Sequence, residues 1–183
     1  MAKKVSVFLA DGFEEIEGLT VVDLLRRAGV EVTTVSIMGV HTIHGAHKID
    51  VQADKLFDEV DYEEMDMVVL PGGMPGTLNL GAHEGVKQVL EQFYAQKKCI
   101  GAICAAPSVL GKYGMLEGRK ATSYPGFEEE LKGAEYTTDA VAVSDFVITS
   151  RGLGTAIEFS LALIEKLIDK KKADEISHSI IYK

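Results

Sequence analysis

Cysteine is scarce in this 183-residue chain, which has only Cys99 and Cys104. Two cysteines cannot build a disulfide framework. Their spacing is neither that of a C-x-x-C redox pair nor that of a metal-ligand set. An excess of basic charge is also missing. The net charge of −9 argues against a general nucleic-acid binder, whose binding face is basic. There is no basic amphipathic stretch to lie on a membrane surface, and no apolar run reaches the roughly 18 residues of a membrane span. The opening Met1-Ala2-Lys3-Lys4-Val5 lacks the apolar segment and cleavage site of a secretory leader. The expectation is a cytoplasmic protein, with reduced thiols. With no repeat, linker or low-complexity segment, residues 1–183 read as one domain, long enough to bury a core without staples.

What is present is an alternation of strand-like and helix-like stretches. Val5–Ala10 is a short apolar run that ends at Asp11-Gly12. Ile16, Leu19, Val22 and Leu25 recur at helical spacing, with Asp11 and Glu14 placed as a capping box. Val30–Ile37 reads as a second strand, and residues 40–51 as a hairpin turning near Gly45. Asp66–Leu70 is a buried strand broken by Pro71-Gly72-Gly73. A helix over Gly85–Gln96 leads to a strand over Cys99–Ile103 and a helix over Ala105–Tyr113. Lys120–Ser123 is a short strand, Glu135–Ser150 holds one or two more, and Thr155–Leu167 and Ala173–Ile181 are helices. Such alternation predicts an α/β fold with a mostly parallel sheet covered on both faces. In such sheets the site lies at the carboxyl ends of the strands.

Cys104 stands where a strand turns sharply into a helix, flanked two positions away by Ala102 and Ala106. That is the arrangement of a nucleophile elbow, which needs small flanks and leaves its nucleophile exposed. A thiol at a helix N-terminus is expected to favour the thiolate. Cys99, in mid-strand, fits a packing role better. Glu14 and Glu15 read as solvated first-turn carboxylates. Glu17 is either another of these or an inward-pointing acid able to donate a hydrogen bond to a thiolate. Gly72-Gly73 is either a simple turn or a place where backbone N–H groups approach a ligand closely. The five histidines show no metal-type spacing and no carboxylate pattern. Only His47 and His83 merit checking against Cys104.

Four segments stand together: Leu9-Ala10-Asp11-Gly12-Phe13-Glu14-Glu15-Ile16-Glu17, Val69-Leu70-Pro71-Gly72-Gly73, Ala102-Ile103-Cys104-Ala105-Ala106-Pro107 and Thr149-Ser150-Arg151-Gly152-Leu153-Gly154-Thr155. In this order and spacing they resemble the ThiJ/PfpI superfamily, in the branch of the parkinsonism-associated protein deglycase. The resemblance implies a flavodoxin-like α/β sandwich that forms homodimers and needs no metal or organic cofactor. It makes Cys104 the reactive cysteine and Glu17 its hydrogen-bonding acid. Gly72, Gly73 and the Ala105 N–H become an anion pocket. The loop carrying Arg151, Gly152 and Leu153 resembles one that a partner subunit brings near that pocket.

The activities implied are those of a glyoxalase III or deglycase, with a small reactive carbonyl such as methylglyoxal as substrate and lactate as product. The alternative is an oxidative-stress thiol sensor or chaperone. Some members carry a thiazole-biosynthesis label, for which no residue here supplies a mechanism. Two departures stand out. Tyr124 occupies the place of a histidine in the deglycase branch, and a phenol cannot act as a base near neutrality as imidazole can. Ala105 stands where the protease-like branch has a histidine, which argues against a Cys–His peptidase.

Overall fold

A computed structural model of the chain describes residues 2–182. The chain runs β1 (Lys4–Leu9), α1 (Glu15–Arg27), β2 (Glu31–Ser36), β3 (Thr42–His44), β4 (Asp50–Gln52), β5 (Lys55–Leu56), β6 (Met67–Leu70), α2 (Gly76–Ala82), α3 (Glu84–Gln96) and β7 (Cys99–Ile103). It continues with α4 (Pro107–Lys112), β8 (Lys120–Ala121), β9 (Glu135–Tyr136), β10 (Val141–Ser144), β11 (Val147–Ser150), α5 (Ala156–Leu167) and α6 (Lys170–Ser179). A seven-stranded sheet takes the order β10-β11-β7-β6-β1-β2-β5. Every pairing in it is parallel except β10 with β11. This is the mostly parallel, doubly covered sheet that the alternation predicts, in the flavodoxin-like form that the resemblance implies.

Alternation along the strands sorts their side chains onto two covered faces, because successive side chains point to opposite sides. Val5, Val7 and Leu9 of β1, with Met67 and Val69 of β6, pack with residues of α1, α5 and α6. Phe8 of β1, with Val68 and Leu70 of β6, packs with residues of α3 and α4. Burial on both faces is why these strands read as continuous apolar runs. Gly101 in β7 shows how tight the packing is: a Cβ there would come within 3.1 Å of both Leu163 and Phe159 on α5.

Several boundaries differ from the sequence reading. The strand expected over 120–123 shortens to β8, which pairs with β9 outside the main sheet. Residues 135–150 hold three strands rather than one or two. The helix after Cys104 starts at Pro107, because residues 104–106 are spent on turns. The segment forming α2 shows no apolar period, with Gly76, Asn79 and Gly81 among its seven residues. The proposed capping box does not form. Glu14 is the N-cap residue of α1 and makes no side-chain cap bond; Asp11 instead accepts the His44 N–H at 2.9 Å. No helix among the described residues is long and apolar enough to cross a membrane.

Phe159 is fully buried between α5 and the sheet. Phe159→Ala should cost about 3–5 kcal/mol in urea denaturation. A loss below about 1 kcal/mol would show that this layer repacks freely and is not close-packed.

Candidate active site

The loops after β1, β6, β7 and β11 leave the carboxyl edge of the sheet side by side. Chain connectivity reverses between β1 and β6, since β2 lies on one side of β1 and β6 on the other. A doubly wound sheet opens a crevice at such a reversal. The segments Asp11-Gly12, Pro71-Gly72-Gly73, Cys104 and Ser150-Arg151-Gly152 therefore all fall along one edge.

Cys104 is at the tip of the elbow, with φ of +65°. The left-handed region costs a non-glycine residue roughly 1–2 kcal/mol, so the position must be held by its surroundings. The Cys104 N–H donates to the Ser150 carbonyl at 3.0 Å, and its carbonyl accepts the Tyr124 N–H at 2.8 Å. The flanking Ala102 and Ala106 are fully buried, which explains the need for small side chains.

Glu17 is 1% exposed and points inward. Its Oε2 accepts the Gly72 N–H at 2.9 Å, and the carboxyl also accepts the Leu153 N–H. It shares a further hydrogen bond with the Cys104 thiol. Burial pushes the Glu17 carboxyl up to about 7. Burial and the adjacent Glu17 charge push the Cys104 thiol up to about 12, against the pull of the Gly73 and Ala105 N–H groups. This corrects the expectation of a thiol acidified by a helix N-terminus, since α4 begins three residues later. The two groups act as one unit. With the proton on Glu17, the neighbouring negative charge disappears and the sulfur keeps the Glu17 O–H and two backbone N–H groups as donors.

The glycines permit this approach. A Cβ on Gly72 would fall 2.5 Å from the Cys104 Cβ and 2.7 Å from Glu17 Oε2. Gly73 has φ of +91°, and a Cβ there would overlap the Glu14 backbone nitrogen. The three expected pocket amides do not act alike. Gly73 and Ala105 donate to the sulfur, whereas the Gly72 N–H is committed to Glu17.

The loop after β11 also departs from expectation. The resemblance implied that a partner subunit brings it, but the chain's own Leu153 N–H reaches Glu17. Gly152 lies beside the Tyr124 ring, where a Cβ would come 3.2 Å from Tyr124 Cδ2 and 3.7 Å from Glu17 Oε1. The Ser150 and Thr155 hydroxyls brace the loop at 2.7 Å from each other, a role that the sequence motif containing them does not show. Arg151 follows directly, with a buried Nε that has no hydrogen-bond partner among the described residues. Tyr124 is half-exposed and its backbone, through the Cys104 carbonyl, is what touches the elbow.

Among the described residues no histidine is bonded to the sulfur. The His83 ring accepts the Val86 N–H at the start of α3. His47 Nδ1 lies 2.9 Å from Glu15 and 3.4 Å from Glu14, and His44 Nδ1 lies 2.7 Å from Asp50. These pairs correct the reading that the histidines have no carboxylate partners. They also correct that of Glu15, which is a buried anchor rather than a solvated one. The atoms of Glu14, Glu15 and His47 gather within 4.8 Å as an ion-pair cluster whose contacts are already made with one another.

Comparison with known proteins shows which chains this one is similar to. Residues 3–166 match the model of the DJ-1/PfpI family. The Drosophila melanogaster protein dj-1beta is 37% identical over 183 residues, covering 99% of this chain and 98% of its own length. The Arabidopsis thaliana protein DJ-1 homolog A is 37% identical over 182 residues; this chain spans about half, 46%, of that longer protein. Among solved structures, oxidized Toxoplasma gondii DJ-1 superposes with a TM-score of 0.95 at 39% identity, covering 99% of each chain.

The raised Glu17 value has a definite sign for stability. Stability tied to the Glu17 proton is complete below the ordinary carboxylate range and is lost as pH rises through about 7. Glu17→Gln carries no such proton. Its Tm should fall less than that of the wild type between about pH 5 and 8, and equal slopes would rule out a buried, protonated Glu17.

Proposed function

The chain belongs to the DJ-1/PfpI family, and we propose that it acts there as a cofactor-independent cysteine enzyme on small 2-oxoaldehydes, in the manner of a glyoxalase III. One observation carries the reading: a buried carboxyl bonded to a thiol whose sulfur receives two backbone N–H groups. Such a pair can form a nucleophile and move a proton without a metal. Homodimer formation belongs to the same proposal.

With the shared proton on Glu17, the Cys104 thiolate adds to the aldehyde carbon of methylglyoxal. The oxygen of the former carbonyl takes the Glu17 proton, giving a hemithioacetal. Glu17, now a carboxylate, removes the hydrogen from that carbon as a proton to give an enediolate, and delivers it to the adjacent carbon while the hydroxyl proton passes to the neighbouring oxygen. The product is a thioester of lactate. Water cleaves the carbon–sulfur bond, releasing lactate and restoring the thiol. The sum is methylglyoxal plus water to lactic acid, with one carbon oxidised and its neighbour reduced. The Gly73 and Ala105 amides stabilise negative charge on the sulfur before attack and on the adduct afterwards. Tyr124 leaves Glu17 to carry every proton transfer, so turnover is slow.

The test is lactate formation from methylglyoxal by wild type, Cys104→Ser and Glu17→Gln. The wild type should turn over and Cys104→Ser should not. Glu17→Gln should lose about 10²–10⁴-fold in kcat. An inactive wild type overturns the enzyme reading, and an active Cys104→Ser overturns the nucleophile.

A second reading, a thiol sensor, draws on the same three donors, which would hold an oxygen placed on the sulfur. Burial raises both thiols, so the donors around the Cys104 sulfur, rather than its acidity, set the expected order of oxidation. After mild peroxide, mass spectrometry should find oxygen on Cys104 before Cys99. The reverse order would count against a sensor.

A further inference from the structure

The loop that presents Glu17 is held from outside by the β3–β4 hairpin. The Gly12 N–H donates to the His44 carbonyl at 2.7 Å and the Ala46 N–H to the Phe13 carbonyl at 2.9 Å. The His47 N–H donates to Glu15 Oε1 at 2.7 Å, and its ring closes on the other oxygen of the same carboxylate. The chain of contacts then runs inward: the Glu14 N–H donates to the Gly72 carbonyl at 2.9 Å, and the Gly72 N–H donates to Glu17. Glu14, the N-cap residue of α1, stands three residues before Glu17, and its charge opposes ionisation of the Glu17 carboxyl. The His47 side chain is 65% exposed while that of Glu15 is 2% exposed. One end of the network is therefore in water and the other in the site.

We propose that His47 is a positioning residue for the Cys104–Glu17 pair, its imidazolium offsetting the Glu14 charge that faces Glu17 and so favouring the thiolate. This rests on reading that pair as the working groups, but it concerns their ionisation and needs no substrate. The groups facing Glu17 are Cys104 from the end of β7, the Gly72 N–H from the end of β6, the Leu153 N–H from the loop after β11, and Glu14 on its own helix. Those facing His47 are Glu14 and Glu15 from α1. The other hairpin charges, His44 and Asp50, pair with each other.

The signs follow from the arrangement. Glu14 opposes loss of the proton that Glu17 and Cys104 share. A cation at position 47 weakens that opposition. The bond to Glu15 and the Glu14 and Glu15 charges raise His47 above its ordinary value, which favours the cation at position 47.

The experiment is an ultraviolet titration of Cys104 over about pH 5–9, which follows the first proton lost by the Cys104–Glu17 pair near 7, in a Cys99→Ser background so that one thiol reports. His47→Gln should move the thiolate midpoint up by ~0.5 pH unit, and Glu14→Gln should move it down by a similar amount. The double variant should return close to the wild type. His47→Lys, a cation at every pH used, should restore the wild-type midpoint although it cannot reproduce the ring's hydrogen bond. A midpoint unmoved by His47→Gln overturns the proposal. So does failure of His47→Lys to restore it, which would mark His47 as an anchor of the hairpin alone. Alkylation rates of Cys104 against pH give a second measure of the same midpoint. Absence of methylglyoxal turnover would not alter either readout, so failure of the enzyme reading and failure of this one are separate outcomes.

Discussion

A buried carboxyl and a partly buried thiol sharing one proton set the terms for everything around them. Neither group tolerates burial in its charged form without partners. The protein therefore surrounds them with backbone N–H groups rather than with side-chain cations. Gly72 and Leu153 attend to Glu17, and Gly73 and Ala105 attend to Cys104. Fixed amide dipoles cost no side-chain entropy, and their sites persist whichever partner holds the proton.

This arrangement makes demands on distant parts of the chain. Amides can converge only if backbone comes close to backbone, hence no side chain at Gly72 and Gly73. The sharp turn at Cys104 needs small, buried neighbours and bonds to Ser150 and Tyr124 to hold its left-handed conformation. The loop after β11 needs its Ser150–Thr155 brace. The hairpin, though outside the main sheet, docks on the β1–α1 loop through backbone bonds and Glu15. The parallel sheet brings these segments together because all four strand ends leave by the same edge.

Much of this was legible in advance. The alternation of apolar runs with helical periods implied a parallel sheet, since strands covered on both faces lose their own polar–apolar alternation. The small residues around Cys104 marked the elbow. Local signals failed where the deciding contact came from elsewhere in the chain. Glu15 looks like any first-turn carboxylate until the hairpin folds over it. The Asp11 carboxylate had a plausible cap partner, but tertiary packing gave it to the His44 N–H. Short pieces such as α2, β5 and β8 carry too few residues to show a period.

The order of elements, the elbow and the identity of Cys104 as the residue of interest were determined by the sequence itself, because they depend on local geometry and side-chain size. The roles of the glutamates and amides were not. Three carboxylates crowd within Glu14–Glu17, and only the fold assigns Glu14 to the rim, Glu15 to the hairpin and Glu17 to the thiol. Likewise, Gly72 and Gly73 are adjacent and chemically identical, yet one N–H serves the acid and the next the sulfur. Direction in space decides such assignments. That direction follows from how the strands, α1 and the hairpin pack together, which no local pattern of residues encodes.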